Sequence, residues 1–89
     1  MNLLTATVAL TAAIMLPVVG AQAQSSCKWY GATALKQQKQ NEKLDCKFSG
    51  PEWHSNLADH MTWCANRAPD FWKASARERD RMLAKCAKR

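Results

Sequence analysis

The stretch that decides the fold is CKWYGATALKQQKQNEKLDC, residues 27–46, which begins and ends with a cysteine. It holds mostly good helix formers and no proline, so it predicts one continuous helix from Cys27 to Cys46. Such a helix separates its ends by roughly 28 Å at about 1.5 Å per residue, whereas a disulfide brings two Cα atoms to about 5.5 Å. Cys27 and Cys46 are therefore predicted to pair with cysteines elsewhere in the chain.

A second helix is predicted to begin at the stop that follows Cys46. Ser49 and Glu52 have the spacing of a capping box, and Pro51 lies in the first turn, where a missing N–H costs little. The helix should end near residues 66–68, because Pro69 disfavours a helical conformation in the residue before it. Its apolar positions follow three- and four-residue steps: Trp53, Leu57, Met61, Cys64 and Ala65.

A third helix is predicted towards the C-terminus. Ser75 and Glu78 form a second capping-box pattern, and the helix continues to about Lys85 or Ala87. The sequence leaves open whether residues 69–74 belong to this helix or form a separate turn.

Three helices in an up-down-up arrangement select one disulfide pairing. Cys27 begins helix one and Cys64 ends the descending helix two, so these two meet at one end of the domain, while Cys46 and Cys86 meet at the other. Each bond closes a loop of roughly 40 residues and contributes on the order of 3 to 4 kcal/mol in the chain-entropy model. The predicted fold class is a small all-α, three-helix, disulfide-stapled domain after an N-terminal signal peptide.

The first 23 residues have the pattern of a secretory leader. They carry no charge, and the apolar run of residues 8–19 is shorter than the roughly 20 residues that a membrane span needs. Gly20 to Ala23 supplies the small-x-small pattern of a signal-peptidase site. We therefore predict a signal peptide over residues 1–23, a domain over residues 24–89, and a periplasmic or secreted location. An uncleaved anchor is the alternative, because the leader lacks the usual N-terminal Lys or Arg.

The charge of the chain favours acidic partners. The net formal charge is +6, and every charged side chain lies after the leader. The C-terminal end is the most positive part, with Arg77, Arg79, Arg81, Lys85, Lys88 and Arg89. The predicted binding residues are Arg77, Arg81, Lys85, Lys88, Arg89 and Trp63. Solubility alone is the alternative interpretation of this charge.

The predicted function is a small, exported, non-enzymatic protein that binds an anionic envelope component or a partner protein through its basic face. The alternative is a secreted inhibitor or effector that docks on another protein through exposed aromatics, with Trp63 and Phe71 or Trp72 as anchors. No nucleic-acid partner is expected in the periplasm, and the oligomeric state is left open.

Enzymatic and metal chemistry are not expected. There is no CxxC, CxxCH or HExxH motif, and the four cysteines are assigned to disulfides, so no metal and no cofactor is predicted. His54 and His60 lie six residues apart on the predicted helix two and are expected to point to different sides. Glu52, Asp59 and Asp70 are isolated carboxylates without a partner that would separate their pKa values.

Two packing questions concern polar and aromatic side chains. One face of helix one is only half apolar, with Tyr30, Ala34, Gln37 or Gln38, Asn41 and Leu44. The favoured interpretation is that the amide side chains of this face are exposed to water. The alternative is that they are partly buried and form hydrogen bonds within the protein. Trp63 is expected to pack against helix one or the 69–74 segment, with partial exposure beside Arg67 as the alternative.

The chain resembles a group of small exported proteins of alphaproteobacteria, particularly rhizobia and their relatives. The residues that carry this resemblance are Cys27, Trp29, Tyr30, Ala34, Gln37, Gln38, Asn41, Cys46, Gly50, Trp53, His60, Trp63, Cys64, Arg79, Leu83 and Cys86. The chain departs from the pattern at Gly31, where the group commonly has alanine. The resemblance implies a bacterial periplasmic or secreted location and no particular function, and it suggests that His60, Trp63 and Cys64 belong to a shared framework.

Overall fold

The computed structural model describes residues 18–89, which form three helices and no strand. Helix α1 spans Val18–Lys43, α2 spans Leu57–Ala65, and α3 spans Pro69–Ala87. Of the predicted signal peptide, residues 1–17 lie outside the described part, and residues 18–23 continue α1 towards the N-terminus. None of the helices within residues 18–89 is long and apolar enough to cross a membrane.

Both predicted disulfides are present and hold the other two helices against α1. Cys27 pairs with Cys64 at a Cα–Cα distance of 5.5 Å, and Cys46 pairs with Cys86 at 5.8 Å. The first bond joins the N-terminal half of α1 to the end of α2, and the second joins the C-terminal ends of α1 and α3. The up-down-up arrangement and the three-helix, disulfide-bonded fold class are therefore confirmed.

Helix α1 ends three residues before Cys46, at a turn that Asp45 makes possible. Asp45 has a φ of 54°, in the left-handed region, where aspartate is one of the few tolerated side chains. Its N–H donates to the Glu42 carbonyl at 3.1 Å, and the Cys46 N–H donates to the Asn41 carbonyl at 3.0 Å. This is the Schellman pattern, which satisfies carbonyls that a helix end leaves free and directs Cys46 towards α3.

The predicted start of helix two is wrong. Residues 47–56 form an irregular loop with a turn at residues 51–52. Helix α2 begins at Leu57 with Asn56 as its N-cap, whose side chain accepts a hydrogen bond from the Asp59 N–H at 3.0 Å. Ser49 and Glu52 therefore cap no helix. The predicted end was slightly too late, because the helix closes at Ala65 with Asn66 as its C-cap.

The open question about residues 69–74 is resolved in favour of one long helix. Pro69 stands in the first turn of α3, where its missing N–H is tolerated, and the helix runs without interruption to Ala87. Ser75 is therefore inside the helix and is not an N-cap. Its hydroxyl instead accepts a hydrogen bond from Arg79 Nη1 at 2.9 Å.

The core consists of two apolar clusters, one beside each disulfide. The first contains Cys27, Tyr30, Cys64, Trp72 and Ala76, and the second contains Cys46, Trp53, Leu83 and Cys86. Trp53 reaches the second cluster from the 47–56 loop, where its ring lies 4.8 Å from that of Phe48. Gly31 allows α1 and α2 to approach closely, since a Cβ there would stand 2.7 Å from Leu57 Cδ1.

Candidate functional site

A row of exposed basic side chains runs along α3 from its second turn to its C-cap. We define the basic stripe as the following residues: Lys73, Arg77, Arg81, Lys85 and Lys88, all of which are exposed. They recur every three or four residues, so they share one side of the helix, opposite the buried side that carries Trp72, Leu83 and Cys86. The stripe is about 22 Å long at about 1.5 Å per residue.

The structure brings four of the six predicted binding residues together in the basic stripe. Arg77, Arg81, Lys85 and Lys88 lie within it, and Arg89 follows Lys88, the C-cap of α3. Lys73 was missed because the sequence left residues 69–74 unassigned, and only a continuous α3 places this lysine one turn before Arg77. Trp63 lies on α2 and is not part of the stripe.

The charge of the stripe is largely uncompensated. Among the described residues, the one ion pair within 4.0 Å joins Arg81 to Glu78, and Arg81 Nε also donates to Glu78 Oε1 at 3.0 Å. The hydrogen bond from Arg81 lowers the pKa of the Glu78 carboxyl, and the same contact raises the pKa of Arg81. Lys73, Arg77 and Lys85 have no such acidic partner in the described part of the chain.

A groove of about 630 Å³ runs beside the C-terminal half of the stripe, and we call it the α3 groove. Phe48, Met82 and Cys86 contribute its apolar lining, while Arg81, Lys85 and Arg89 contribute positive charge. Three of the predicted binding residues therefore line one concave surface, which the linear sequence did not suggest. The combination of cationic and apolar lining suits a ligand that has an anionic group and an apolar part.

A second groove of about 530 Å³ adjoins the first, and we call it the aromatic groove. Trp53, Trp63, Phe71 and Met82 are among its lining residues. The two grooves share Glu78 and Met82, so they meet at this point on α3.

Arg79 does not contribute to the positive surface, although the sequence counted it with the basic C-terminal end. Only 2% of the Arg79 surface is exposed to solvent. Nε donates to Gln37 Oε1 at 2.6 Å, Nη1 donates to the Tyr30 hydroxyl at 3.0 Å, and the guanidinium lies 5.1 Å from the Tyr30 ring centroid. No hydrogen-bond acceptor among the described residues reaches Nη2. Arg79 is thus a buried charge that links α3 to α1.

The favoured interpretation of the helix-one amides is wrong, because Gln37 and Asn41 are buried. Gln37 Nε2 donates to the Ala76 carbonyl at 3.0 Å and to Asp80 Oδ1 at 2.8 Å. Asn41 binds both backbone groups of Phe48, at 2.8 Å and 3.0 Å. These amides hold α3 and the 47–56 loop against α1, and the polar positions in the α1 stripe are therefore structural.

Trp63 packs against helix one, as predicted, whereas the proposed anchors Phe71 and Trp72 differ in exposure. Trp63 is half-buried, stacks on Tyr30 of α1 at 5.5 Å, and has Arg67 at 5.0 Å from its ring centroid. Trp72 is only 7% exposed, so it is excluded as a docking anchor. Phe71 is 65% exposed, as an anchor would require, and Trp29, which the sequence did not single out, is 54% exposed.

The two histidines are adjacent, contrary to the prediction that they point to different sides. His54 belongs to the loop, and its ring stacks on that of His60 with centroids 4.0 Å apart. The His54 carbonyl lies 2.9 Å from His60 Nε2, so this nitrogen carries the proton that the hydrogen bond requires. Burial lowers the pKa of His60 below its ordinary value of 6.5, and the charges of His54 and Arg79 act in the same direction.

His60 makes folding sensitive to pH. Because its folded pKa is below its unfolded pKa, protonation favours the unfolded chain. We expect the free energy of unfolding to decrease as pH falls from about 7.5 to about 5.5, a range in which ordinary carboxylates stay ionised. Urea unfolding followed by circular dichroism at several pH values measures this, and a free energy that rises over the same range would contradict the prediction.

The variant His54→Phe isolates the cause of this pH dependence. It keeps the backbone carbonyl that His60 binds and keeps an aromatic ring on the stack. It removes the charge of His54, together with the hydrogen bond that His54 Nδ1 accepts from the Asn56 N–H. The pKa of His60, measured by NMR, should then rise while staying below 6.5, because burial is the largest of the causes that lower it. Nearby Asp59 opposes the shift and is unchanged in the variant.

Comparison with protein-family models, with curated proteins and with solved structures finds no match to this chain. Within the described residues, no three His, Cys, Asp or Glu side chains come together as a group that could hold a metal ion. The two disulfides are typical of proteins in oxidising, extracellular compartments.

Proposed function

We propose that this chain is a periplasmic or secreted, non-enzymatic protein that binds an anionic component of the cell envelope through the basic stripe of α3. The observation that carries the proposal is the placement of four exposed cations on one side of α3, with Lys88 following at the C-cap, while the opposite side of the helix is buried in the core. A rigid helix presents these charges to a flat or extended anion without any rearrangement of the fold.

Electrostatic attraction of this kind is additive and sensitive to salt. Each Lys or Arg near an anionic lipid surface contributes about 1 kcal/mol at moderate salt. Within residues 18–89, Arg81 is the one member of the stripe that has a carboxylate within 4.0 Å, so the other members keep their charge for a partner. The proposed binding should therefore be strong at low salt and disappear near about 0.5 M, where the Debye length is about 4 Å.

The test is sedimentation with vesicles that contain phosphatidylglycerol, compared with vesicles of phosphatidylcholine alone. The variant Arg77→Gln with Lys88→Gln removes two charges from the stripe without touching the α3 groove. It should weaken binding by about thirtyfold, since two charges correspond to about 2 kcal/mol. The matched control, Lys36→Gln with Lys39→Gln, makes the same change of charge at exposed positions of α1 and should have a smaller effect.

Two results would overturn the proposal. One is no retention of the protein on the anionic vesicles at any salt concentration. The other is an equal loss of binding in the α1 control, which would show that net charge and not the stripe determines attachment.

A second candidate function is a secreted inhibitor or effector that docks on another protein. The observation that favours it is the exposure of Phe71 and Trp29, since exposed aromatics are common anchors of protein interfaces. Binding to a defined partner should then persist at about 0.5 M salt, where surface charges are screened. It should be lost in Phe71→Ser and retained in Arg77→Gln with Lys88→Gln, which is the reverse of the pattern expected for the stripe.

A further inference from the structure

The α3 groove and the aromatic groove meet along α3, and we call the two together the channel. They share Met82 and Glu78, and their volumes of about 630 Å³ and about 530 Å³ are each within the usual range for small-molecule sites. The charge of Glu78 at the junction is held by Arg81. A ligand that crosses this point therefore meets the Met82 side chain and a neutralised carboxylate.

The two ends of the channel differ in chemistry. Lys85 and Arg89 line the C-terminal end, beside Phe48. Trp53, Trp63 and Phe71 provide the apolar lining of the other end, and Glu52 stands at the same end. A ligand that matches both ends needs an anionic head at one end and an apolar body at the other.

The length of the channel suits one acyl chain. Phe71 and Lys85 are fourteen residues apart on α3, which corresponds to about 21 Å. An acyl chain of a membrane lipid occupies about 15 Å, half of the roughly 30 Å hydrocarbon core. A head placed at Lys85 therefore leaves room for a chain of ordinary membrane length to reach the aromatic side chains.

We propose that this channel binds a single anionic lipid that has one acyl chain, with its phosphate between Lys85 and Arg89 and its chain over Met82 towards Trp63 and Phe71. This inference rests on the proposed function for its choice of an anionic envelope lipid as the occupant. It goes further by assigning a defined site for one molecule, separate from the attraction of the stripe to a surface.

The test is calorimetric titration of the full domain with three probes below their micelle-forming concentrations. The probes are myristoyl lysophosphatidylglycerol, lysophosphatidylcholine with the same chain, and glycerol 3-phosphate, which has the head group without the chain. The first should bind at least about tenfold more tightly than either of the others, because only it matches both ends of the channel. Equal affinity for glycerol phosphate, or for lysophosphatidylcholine, would overturn the proposal.

Three variants locate the binding. Lys85→Gln should weaken binding of the anionic lysolipid more than binding of lysophosphatidylcholine, because choline balances the phosphate charge of the latter. Phe71→Ser, at an exposed position, should weaken binding of both lysolipids. Lys36→Gln is the control, since Lys36 is exposed on α1 and lines neither groove, and it should leave lysolipid affinity unchanged. If Lys36→Gln weakens binding as much as Lys85→Gln, or if Phe71→Ser has no effect, the proposed channel site is wrong.

These outcomes separate the inference from the proposed function. Retention on anionic vesicles without lysolipid binding removes the channel site and leaves the stripe. Lysolipid binding that depends on Lys85 and Phe71, without retention on vesicles, removes the stripe as the attachment surface and supports the channel.

Discussion

Arg79→Ala is expected to lower the free energy of unfolding by about 3 kcal/mol or more. The substitution deletes a large buried side chain, and such truncations cost about 2 to 5 kcal/mol. It also leaves Gln37 Oε1 without its donor, and a buried group without a partner costs about 1 to 3 kcal/mol. The Tyr30 hydroxyl loses its bond from Arg79 and keeps only the Ser75 hydroxyl, 3.4 Å away. Release of a buried charge that has no carboxylate within 4.0 Å offsets part of this loss.

Two further variants test whether the geometry of the guanidinium matters. Arg79→Lys keeps the charge, but one ammonium group cannot reach Gln37, Tyr30 and Ser75 together. Its free energy of unfolding should therefore lie between those of Arg79→Ala and the wild type. Arg77→Ala changes an exposed arginine of the same helix and should stay within about 0.5 kcal/mol of the wild type. Thermal and urea unfolding under oxidising conditions measure all three. An Arg79→Ala variant within about 1 kcal/mol of the wild type would contradict the assigned role.

Removal of both disulfides is expected to unfold most of the molecules at 25 °C. The bonds join residues 37 and 40 positions apart in the chain, and loops of this length correspond to about 4 kcal/mol each in the chain-entropy model. A domain of this size has a total stability of about 4 to 10 kcal/mol. The loss of both bonds therefore removes most or all of the stability.

The paired serine variants separate the two contributions. Cys27→Ser with Cys64→Ser should expose the amides of α2 to hydrogen exchange, because a helix of 9 residues is not stable by itself. Cys46→Ser with Cys86→Ser should instead loosen Trp53 and Leu83, which pack beside that bond. Far-UV circular dichroism and NMR spectra report the result. A variant without either bond that still unfolds cooperatively within a few degrees of the wild-type Tm would contradict this account.

The features that local chemistry determines were predictable from the sequence. Helix propensity over residues 27–43 and the length of that helix were enough to exclude a bond between Cys27 and Cys46, and the pairing followed. The basic stripe was also largely predictable, because Arg77, Arg81 and Lys85 keep helical spacing wherever α3 begins.

The features that depend on contacts distant in sequence were not predictable. Ser49 and Glu52 have the spacing of a capping box, but Asn41 binds both backbone groups of Phe48 and helps hold the 47–56 loop outside any helix. From its place in the helix pattern, Gln37 was expected to face solvent. It is buried because Arg79, 42 positions later in the chain, donates a hydrogen bond to it. The stacking of His54 on His60 likewise depends on the loop and not on helical spacing.

The most direct test of the central claim is to map which side of the domain approaches an anionic surface. NMR spectra of the labelled protein, recorded with phosphatidylglycerol bicelles that carry a nitroxide on the head group, report proximity residue by residue. The account predicts the strongest signal loss along the exposed side of α3 from Lys73 to Lys88, with little at Lys36 and Lys39 on α1. Equal or stronger signal loss at the α1 lysines would contradict it.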